Sequence, residues 1–480
     1  MLFNSVDFLI FFPVVTLLYF ILPHKVRWLL LLISSCIFYM AFVPKYILIL
    51  GFTIVIDYCA GILIDKMQGN NKKIFLIVSI LTNVGILFVF KYFNFFNENA
   101  ERVAHMLHWN YPIGSLSIIL PIGLSFHTFQ SMSYIIEVYR GKHTPEKHFG
   151  IYALYVMYYP QLVAGPIERP QNMLWQFHTE HRFDAARVSS GLKLMAWGFF
   201  KKLVIADNLA QVVNVVYKSP EAANGLTLIL TTYFFAFQIY CDFSGYTDIA
   251  RGASRVMGIE LMQNFNLPYF SKSISEFWRR WHISLSSWFS DYVYISLGGN
   301  RCAKWKWHRN LMIVFLLSGL WHGAAWTYVI WGGLNGFYLV FALWTKDIRA
   351  KLTHAAGLDK VPKINNFIKV FISFNLICFS WIFFRAASFT SARFIVRKIF
   401  SDFSLKTNFS SVGVTRYQVA LCCFVVLFLV AVQLFQRSKP LSEEIAKKPL
   451  VIRWGLYYAG LIFFIVFGVF NANSFIYFQF

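Results

Sequence analysis

Charge is what this sequence has least of. Only 14% of its 480 residues are Asp, Glu, Lys or Arg, against about a quarter in an ordinary soluble domain. That is too few to coat a water-facing surface of this size. Acidic residues are the scarcer sign, 22 against 44 basic, for a formal net charge of +22. Glycine- or serine-rich linkers, low-complexity tracts and internal repeats are lacking, so residues 1–480 read as one domain, with the polar stretch 346–364 the nearest thing to a boundary. The seven cysteines (Cys36, Cys59, Cys241, Cys302, Cys378, Cys422 and Cys423) show no Cys-x-x-Cys spacing. Most lie in apolar runs, where packed free thiols are expected, and no metal site is predicted. The opening Met1–Leu22 lacks the charged start and small-residue cleavage site of a signal peptide and reads as a retained membrane helix.

What is present is apolar: 58% of the chain is hydrophobic, with 53 Phe, 25 Tyr and 15 Trp. Lipid must be the solvent for much of it, and the aromatics supply interfacial belts. The basic excess then follows from the positive-inside bias and anionic lipid, and no nucleic-acid module accompanies it. Stretches long enough to span lie near 2–22, 27–43, 46–64, 74–93, 115–138, 150–165, 190–216, 224–250, 310–344, 366–384, 417–435 and 453–470. By length they predict about 10–12 crossings. The 150–165 stretch is short and runs into Pro160–Pro166, and 310–344 is too long for one crossing and broken by glycine. Both point to re-entrant or half-spanning helices, which membranes tolerate only when buried in protein or lining a cavity. The early basic segments (His24, Lys25, Arg27; Lys66, Lys72, Lys73; Arg140, Lys142, Lys147) alternate with the acidic segment holding Glu98 and Glu101. The N-terminus is therefore placed outside, with the basic loops in the cytoplasm. The sidedness of the C-terminus stays open, because 385–416 and 436–453 are both basic.

Three polar clusters interrupt the apolar pattern between 240 and 335. The first runs from Gln238 to Asp248, where Asp242 and Asp248 bracket Ser244, Tyr246 and Thr247. It is either a seam facing a cavity or a set of helix–helix hydrogen bonds. In the second, Ser273 and Glu276 have capping-box spacing, and Phe277, Trp281, Leu285 and Trp288 share one face of a predicted helix. Arg279 and Arg280 on it would anchor at lipid headgroups or hold the phosphates of an anionic ligand. The third is Ser318-Gly319-Leu320-Trp321-His322-Gly323, followed by Trp331 and Asn335. A neutral imidazole in an apolar stretch can serve as a general base or as a packed hydrogen-bonding residue.

Together these segments resemble the membrane-bound O-acyltransferase family, in its bacterial branch that acylates exported polysaccharides. The resemblance rests on Tyr159–Ile167, Asp242–Asp248, Asn266–Phe270, Phe277–His282, Tyr294–Arg301 and Ser318–Gly323, with the opening Leu2–Ser5 and the closing Phe475–Phe480. It spans essentially the whole chain; Ser296 stands where proline is usual. It implies an all-α integral membrane fold, a ring of helices with half-spanning segments around a central tunnel, and a catalytic core near 150–345. It implies His322 as the catalytic histidine and His282 as the second family polar residue. Trp278, Arg279, Arg280, Asp242, Ser244, Tyr246, Trp321 and Asn335 are the candidate donor-binding residues. The donor implied is acetyl-CoA or another acyl thioester, free or on a carrier, with no tightly bound cofactor. The acceptor implied is a hydroxyl of an exported polysaccharide, reached directly or through an extracytoplasmic acyltransferase partner, at the bacterial inner membrane. Acylation of a lipid or secreted protein, and a transporter or flippase with midplane polar residues, are the alternatives.

Overall fold

A computed structural model describes residues 1–437, 441–470 and 475–476 of the chain. Of the closing motif, residues 477–480 lie outside these, as does part of the basic segment 436–453. Among the described residues the fold is helical, without β-strands. It opens with α1 (Val6–Ile21), α2 (His24–Met40), α3 (Ile47–Lys66) and α4 (Asn71–Leu87), which passes through a π-helical turn into α5 (Phe93–Met106). Next come α6 (Leu124–Tyr139), α7 (Phe149–Met157), α8 (Pro170–His178), α9 (Ala185–Phe199), α10 (Asp207–Lys218) and α11 (Gly225–Met257). The chain continues as α12 (Ile274–Arg280), α13 (Ile283–Phe289), α14 (Lys304–His322), α15 (Trp326–Trp344), α16 (Lys346–Ala355) and α17 (Pro362–Arg385). It ends with α18 (Phe389–Ser401), α19 (Arg416–Gln436), α20 (Leu441–Ala446) and α21 (Leu450–Phe467). Several starts are set by short polar side chains that accept a first-turn N–H: Ser5, Asp184, Asn224, Ser273, Ser388 and Thr415.

Seven helical runs among the described residues are long and apolar enough to cross a membrane: Pro44–Lys66, Asn71–Met106, Gly225–Met257, Trp326–Trp344, Pro362–Arg385, Arg416–Gln436 and Leu450–Phe467. The chain is thus an all-α, multi-pass membrane protein. The larger number expected from apolar stretches alone includes segments that fold as shorter helices. The 115–138 stretch is helical only from Leu124, and 150–165 forms the nine-residue α7 followed by the buried irregular segment 158–169. Such backbone is enclosed by protein, as the membrane requires.

The two faces of the molecule separate as the charge pattern predicted. The Arg27 guanidinium donates to the His181 carbonyl at 2.6 Å, His178 meets Glu146 at 2.8 Å and Tyr58 donates to the Lys147 carbonyl. The basic segments around Arg27, Lys147 and His181 therefore share one face. The acidic segment gathers at the other, where Tyr46 reaches the Ile119 carbonyl, Asn94 the Leu116 carbonyl and Trp326 the Asn99 side chain.

At the centre stands α11, 33 residues or about 50 Å long, with nearly all of its middle buried. A stripe of small residues lets α9 lie directly on it: a Cβ at Gly198 would stand 2.7 Å from the Gly245 oxygen, and one at Gly252 2.6 Å from the Gly191 oxygen. The predicted break of 310–344 is a turn at Gly323–Ala325, and the resulting α14–α15 hairpin closes on Gly319 and Gly332. A Cβ on Gly332 would fall 2.2 Å from the Phe315 oxygen, a backbone atom that cannot swing aside. Gly332→Ala is therefore expected to pry the hairpin open, costing at least about 1–3 kcal/mol. Thermal unfolding in detergent should show the loss.

Candidate functional site

The strained point of the second polar cluster is His282, whose φ of 44° places it in the left-handed region. Only three non-glycine residues among those described do this, and such conformations persist where the surroundings enforce them. Here the enforcing segment is 264–266: Ile283 N–H donates to the Asn264 carbonyl, Ser284 N–H to the Asn264 side chain, and Asn266 N–H to the Arg280 carbonyl, all at 3.0 Å. The consequence corrects the single amphipathic helix expected through Phe277, Trp281, Leu285 and Trp288. The chain forms two short helices, α12 and α13, hinged at His282, and all four apolar residues are buried. The capping box is also half formed. Ser273 accepts the Glu276 N–H at 3.1 Å, but the Glu276 carboxylate turns to the Lys272 N–H and to Arg280.

The hinge turns the His282 ring inward, 1% exposed, 4.7 Å from the Phe243 ring and 5.9 Å from the Trp321 ring. Also against Trp321 lies His322, its ring centre 4.9 Å from that indole, 5.1 Å from Trp331 and 5.3 Å from Phe384. Trp321 thus lies against both histidines, which the sequence places forty positions apart (322 − 282). Trp278 extends the aromatic wall, 5.6 Å from Trp331. The indole N–H groups of Trp278, Trp321 and Trp331 are buried and make no hydrogen bond among the described residues. Buried donors of this kind ask for an acceptor. Asn335 is fully buried and donates to the Trp331 carbonyl one turn back, which holds the hairpin.

Lys91, from the π-helical turn between α4 and α5, completes the site. Its ammonium donates to the carbonyls of Trp321 at 2.7 Å and His322 at 3.2 Å, capping the negative end of α14. A cavity of about 80 Å³ is lined by Lys91, Gly123, Ser125, Phe126, Trp321 and His322, among others. Its floor is irregular backbone from two segments. Gly123, at φ 77°, lies so close that a Cβ would meet the Leu162 oxygen at 2.8 Å, and Val163 of the same buried segment lines the cavity. Lys91 was not singled out in the sequence. A lysine one helical turn from the end of an apolar run looks like an interfacial anchor until its partner is known.

The remaining candidates gather elsewhere. Asp242 accepts from Lys202 at 2.7 Å and from the Ile476 N–H at 3.0 Å, while Lys202 also bonds Asp207 at 2.9 Å. Lys201 donates to Ser244 at 2.9 Å and to Asp248 at 2.7 Å. Tyr246 packs between Phe3 and Phe475, 4.6 and 4.8 Å away. The seam on α11 therefore faces two buried lysines and both ends of the chain. Arg280 pairs with Glu276 at 2.7 Å, and Arg279 is exposed. All seven cysteines are free thiols.

With this geometry in hand, comparison with known proteins is informative. Residues 147–389 match the model of MBOAT, the membrane-bound O-acyltransferase family. The chain is 38% identical to the Probable alginate O-acetylase AlgI of Pseudomonas aeruginosa, over 84% of this chain and 75% of that one. It is 35% identical to the Peptidoglycan O-acetyltransferase of Helicobacter pylori, over 82% and 78% respectively. A Teichoic acid D-alanyltransferase of Bacillus subtilis is 29% identical, over 57% and 70%.

Proposed function

The chain belongs to the membrane-bound O-acyltransferase family, and on that footing we propose that it moves an acetyl group from a cytoplasmic thioester to a hydroxyl of an exported polysaccharide, directly or through an extracytoplasmic partner. The seat of the reaction would be the bacterial inner membrane. The relatives' names join alginate, peptidoglycan and teichoic acid, each as the polymer of an acyl-transfer activity.

The observation that carries the proposal is His322 on the wall of a cavity beside Lys91, with both it and the second histidine against Trp321. In the proposed reaction a ring nitrogen of His322 takes the proton of the acceptor hydroxyl. The hydroxyl oxygen attacks the thioester carbonyl, the C–S bond breaks, and the departing thiolate takes back the proton. General-base help of this kind is worth about 100- to 10,000-fold. Lys91 and the Trp321 N–H are the donors nearest to where negative charge would develop on the carbonyl oxygen. His282, which also lies against Trp321, orients the donor.

Proteoliposomes loaded with radiolabelled acetyl thioester on the cytoplasmic face, and given polysaccharide with or without its partner outside, test the proposal directly. Label should reach the polymer or partner; label that stays on the donor side under every pairing would overturn it. Lys91→Met is expected to lower turnover about 100-fold, the cost of one oxyanion donor, with Lys91→Arg restoring part of it. A lowered melting temperature with unchanged turnover would leave Lys91 as a helix cap alone.

A further inference from the structure

Asp57 lies midway along α3, within the apolar run Pro44–Lys66, and is 0% exposed. Around it α3, α4, α6 and α7 pack together. Ser79 of α4 donates to its Oδ1 at 2.6 Å, and the Asn83 amide nitrogen stands 3.0 Å from both carboxylate oxygens. No lysine, arginine or histidine pairs with it among the described residues. Elsewhere this fold matches its buried carboxylates to cations: Asp207, Asp242 and Asp248 each face a lysine. A carboxylate left uncompensated inside a membrane span is costly and asks for a counter-charge.

Three further oxygens at this point are buried and unmet: Asn83 Oδ1, Ser131 Oγ and the Tyr152 hydroxyl. The Ser131 hydroxyl of α6 faces both the Asp57 carboxylate and the Tyr152 hydroxyl of α7, yet neither contact closes to a hydrogen bond. Tyr152 lies between Tyr58 and Tyr134, 5.9 and 4.5 Å away. The hydroxyls of those two are taken by the Lys147 carbonyl and the Glu146 N–H, while that of Tyr152 is left to the cluster. The hydroxyls of Ser131 and Tyr152 carry protons of their own, but Asn83 Oδ1 can only accept. A proton on Asp57 would cancel its charge and leave that amide oxygen unmet. A water molecule would meet the amide and leave the charge. A divalent ion would exchange one uncompensated charge for another. A monovalent cation answers both needs, and carboxylate, amide and hydroxyl oxygens are the donors that hard cations take. Oxygens and nitrogen gathered within 2.6–3.0 Å of one another suit a small ion.

We propose that Asp57, Asn83, Ser131 and Tyr152 form a site for a sodium ion that clamps α3, α4, α6 and α7 together, with Ser79 fixing the carboxylate. The amide of Asn83 turns its oxygen to the ion. The clamp acts on the fold and stands independently of the acyl-transfer reading. Two of the clamped helices lead to the histidine cavity: α4 runs through the π-helical turn to Lys91, and α6 begins at Leu124 beside Gly123 and Ser125.

The test uses the full-length protein in detergent, with the chlorides of sodium, potassium and N-methylglucamine at matched ionic strength. Sodium should raise the melting temperature saturably; at about 100 times its Kd it should lower the unfolding equilibrium constant about 100-fold. Radiolabelled sodium should be retained at one ion per chain and be displaced by unlabelled sodium more readily than by potassium. Asp57→Asn, which keeps the side-chain shape and removes the charge, should abolish both the retained label and the sodium-dependent part of melting. Tyr152→Phe removes one oxygen and should weaken sodium binding about tenfold. Its hydroxyl makes no hydrogen bond, so its melting without sodium should match the wild type; this variant covers the case in which Asp57→Asn misfolds. The site is overturned if all three salts act alike on melting, or if no label is retained. Sodium dependence that survives unchanged in both variants places the ion elsewhere and also overturns it. Melting that rises on acidification with no effect of sodium would put a proton on Asp57 in place of the ion.

Discussion

His322→Ala is expected to lower acyl transfer about 100- to 10,000-fold in a protein that still folds. Its effect on chemistry and its effect on structure separate because of how the residue is held. The two Lys91 bonds run to the backbone carbonyls of Trp321 and His322, so the cap on α14 does not depend on the imidazole. The ring itself is packed edge-on against Trp331 and Phe384. Truncation leaves a void there and costs stability of the order of 2–4 kcal/mol, as for other large-to-small core changes. His322→Gln, which fills more of that space without a comparable base, should recover melting temperature but not turnover. Recovered turnover in the glutamine variant, measured with the proteoliposome assay, would show that the imidazole is a packing group.

The largest expected loss of stability comes from Asp242→Ala. Lys202 and Asp242 are buried, 1% and 3% exposed, and with Asp207 they form a triad that joins α11 to the π-helical turn after α9. Breaking a buried ion pair costs about 3–5 kcal/mol, and although Lys202 keeps Asp207 at 2.9 Å, the loss of its shorter partner at 2.7 Å falls within reach of that cost. Here it also removes the acceptor of the Ile476 N–H, so the closing segment loses its tether to the core. Lower melting temperature together with faster proteolysis near residue 476 is the expected signature. The triple change Asp242→Val, Lys202→Met and Asp207→Val, which strands no member of the triad, should recover much of the loss, since apolar replacements of a buried ion pair or triad are often neutral. The donor-binding role considered for Asp242 makes a different forecast: a raised KM for the thioester with unchanged melting. The two outcomes are told apart by one melting curve and one titration.

How much of this was legible beforehand depended on the range over which each signal acts. Apolar length and scarce charge determined a many-helix membrane protein without reference to any contact, because the bilayer penalises every uncompensated polar group. The positive-inside pattern separated the two faces for the same reason. The glycine-flanked Trp321-His322 pair and the breaks near 160 and 323 were visible as local violations of the apolar pattern, and the structure keeps them as the end of α14 and the buried 158–169 segment.

Partners set by packing were not legible. The sequence showed Asp242 and Ser244 as a polar seam, yet it could not say that Lys202 and Lys201 would neutralise it across forty-odd positions. Lys91 meets His322 across 231 positions, far beyond the three- or four-residue reach of helical periodicity. The left-handed turn at His282 is invisible to a pattern that continues smoothly through it. Tertiary hydrogen bonds from Asn264 decide it, by making a strained conformation cheaper than leaving buried backbone groups unmet. The sequence by itself therefore determined the solvent, the class of fold and the candidate histidine. The tertiary structure decided which charges hold the fold, which cation stands beside the histidine, and that the helix carrying His282 breaks there, because burial energies act between neighbours in space and not in order along the chain.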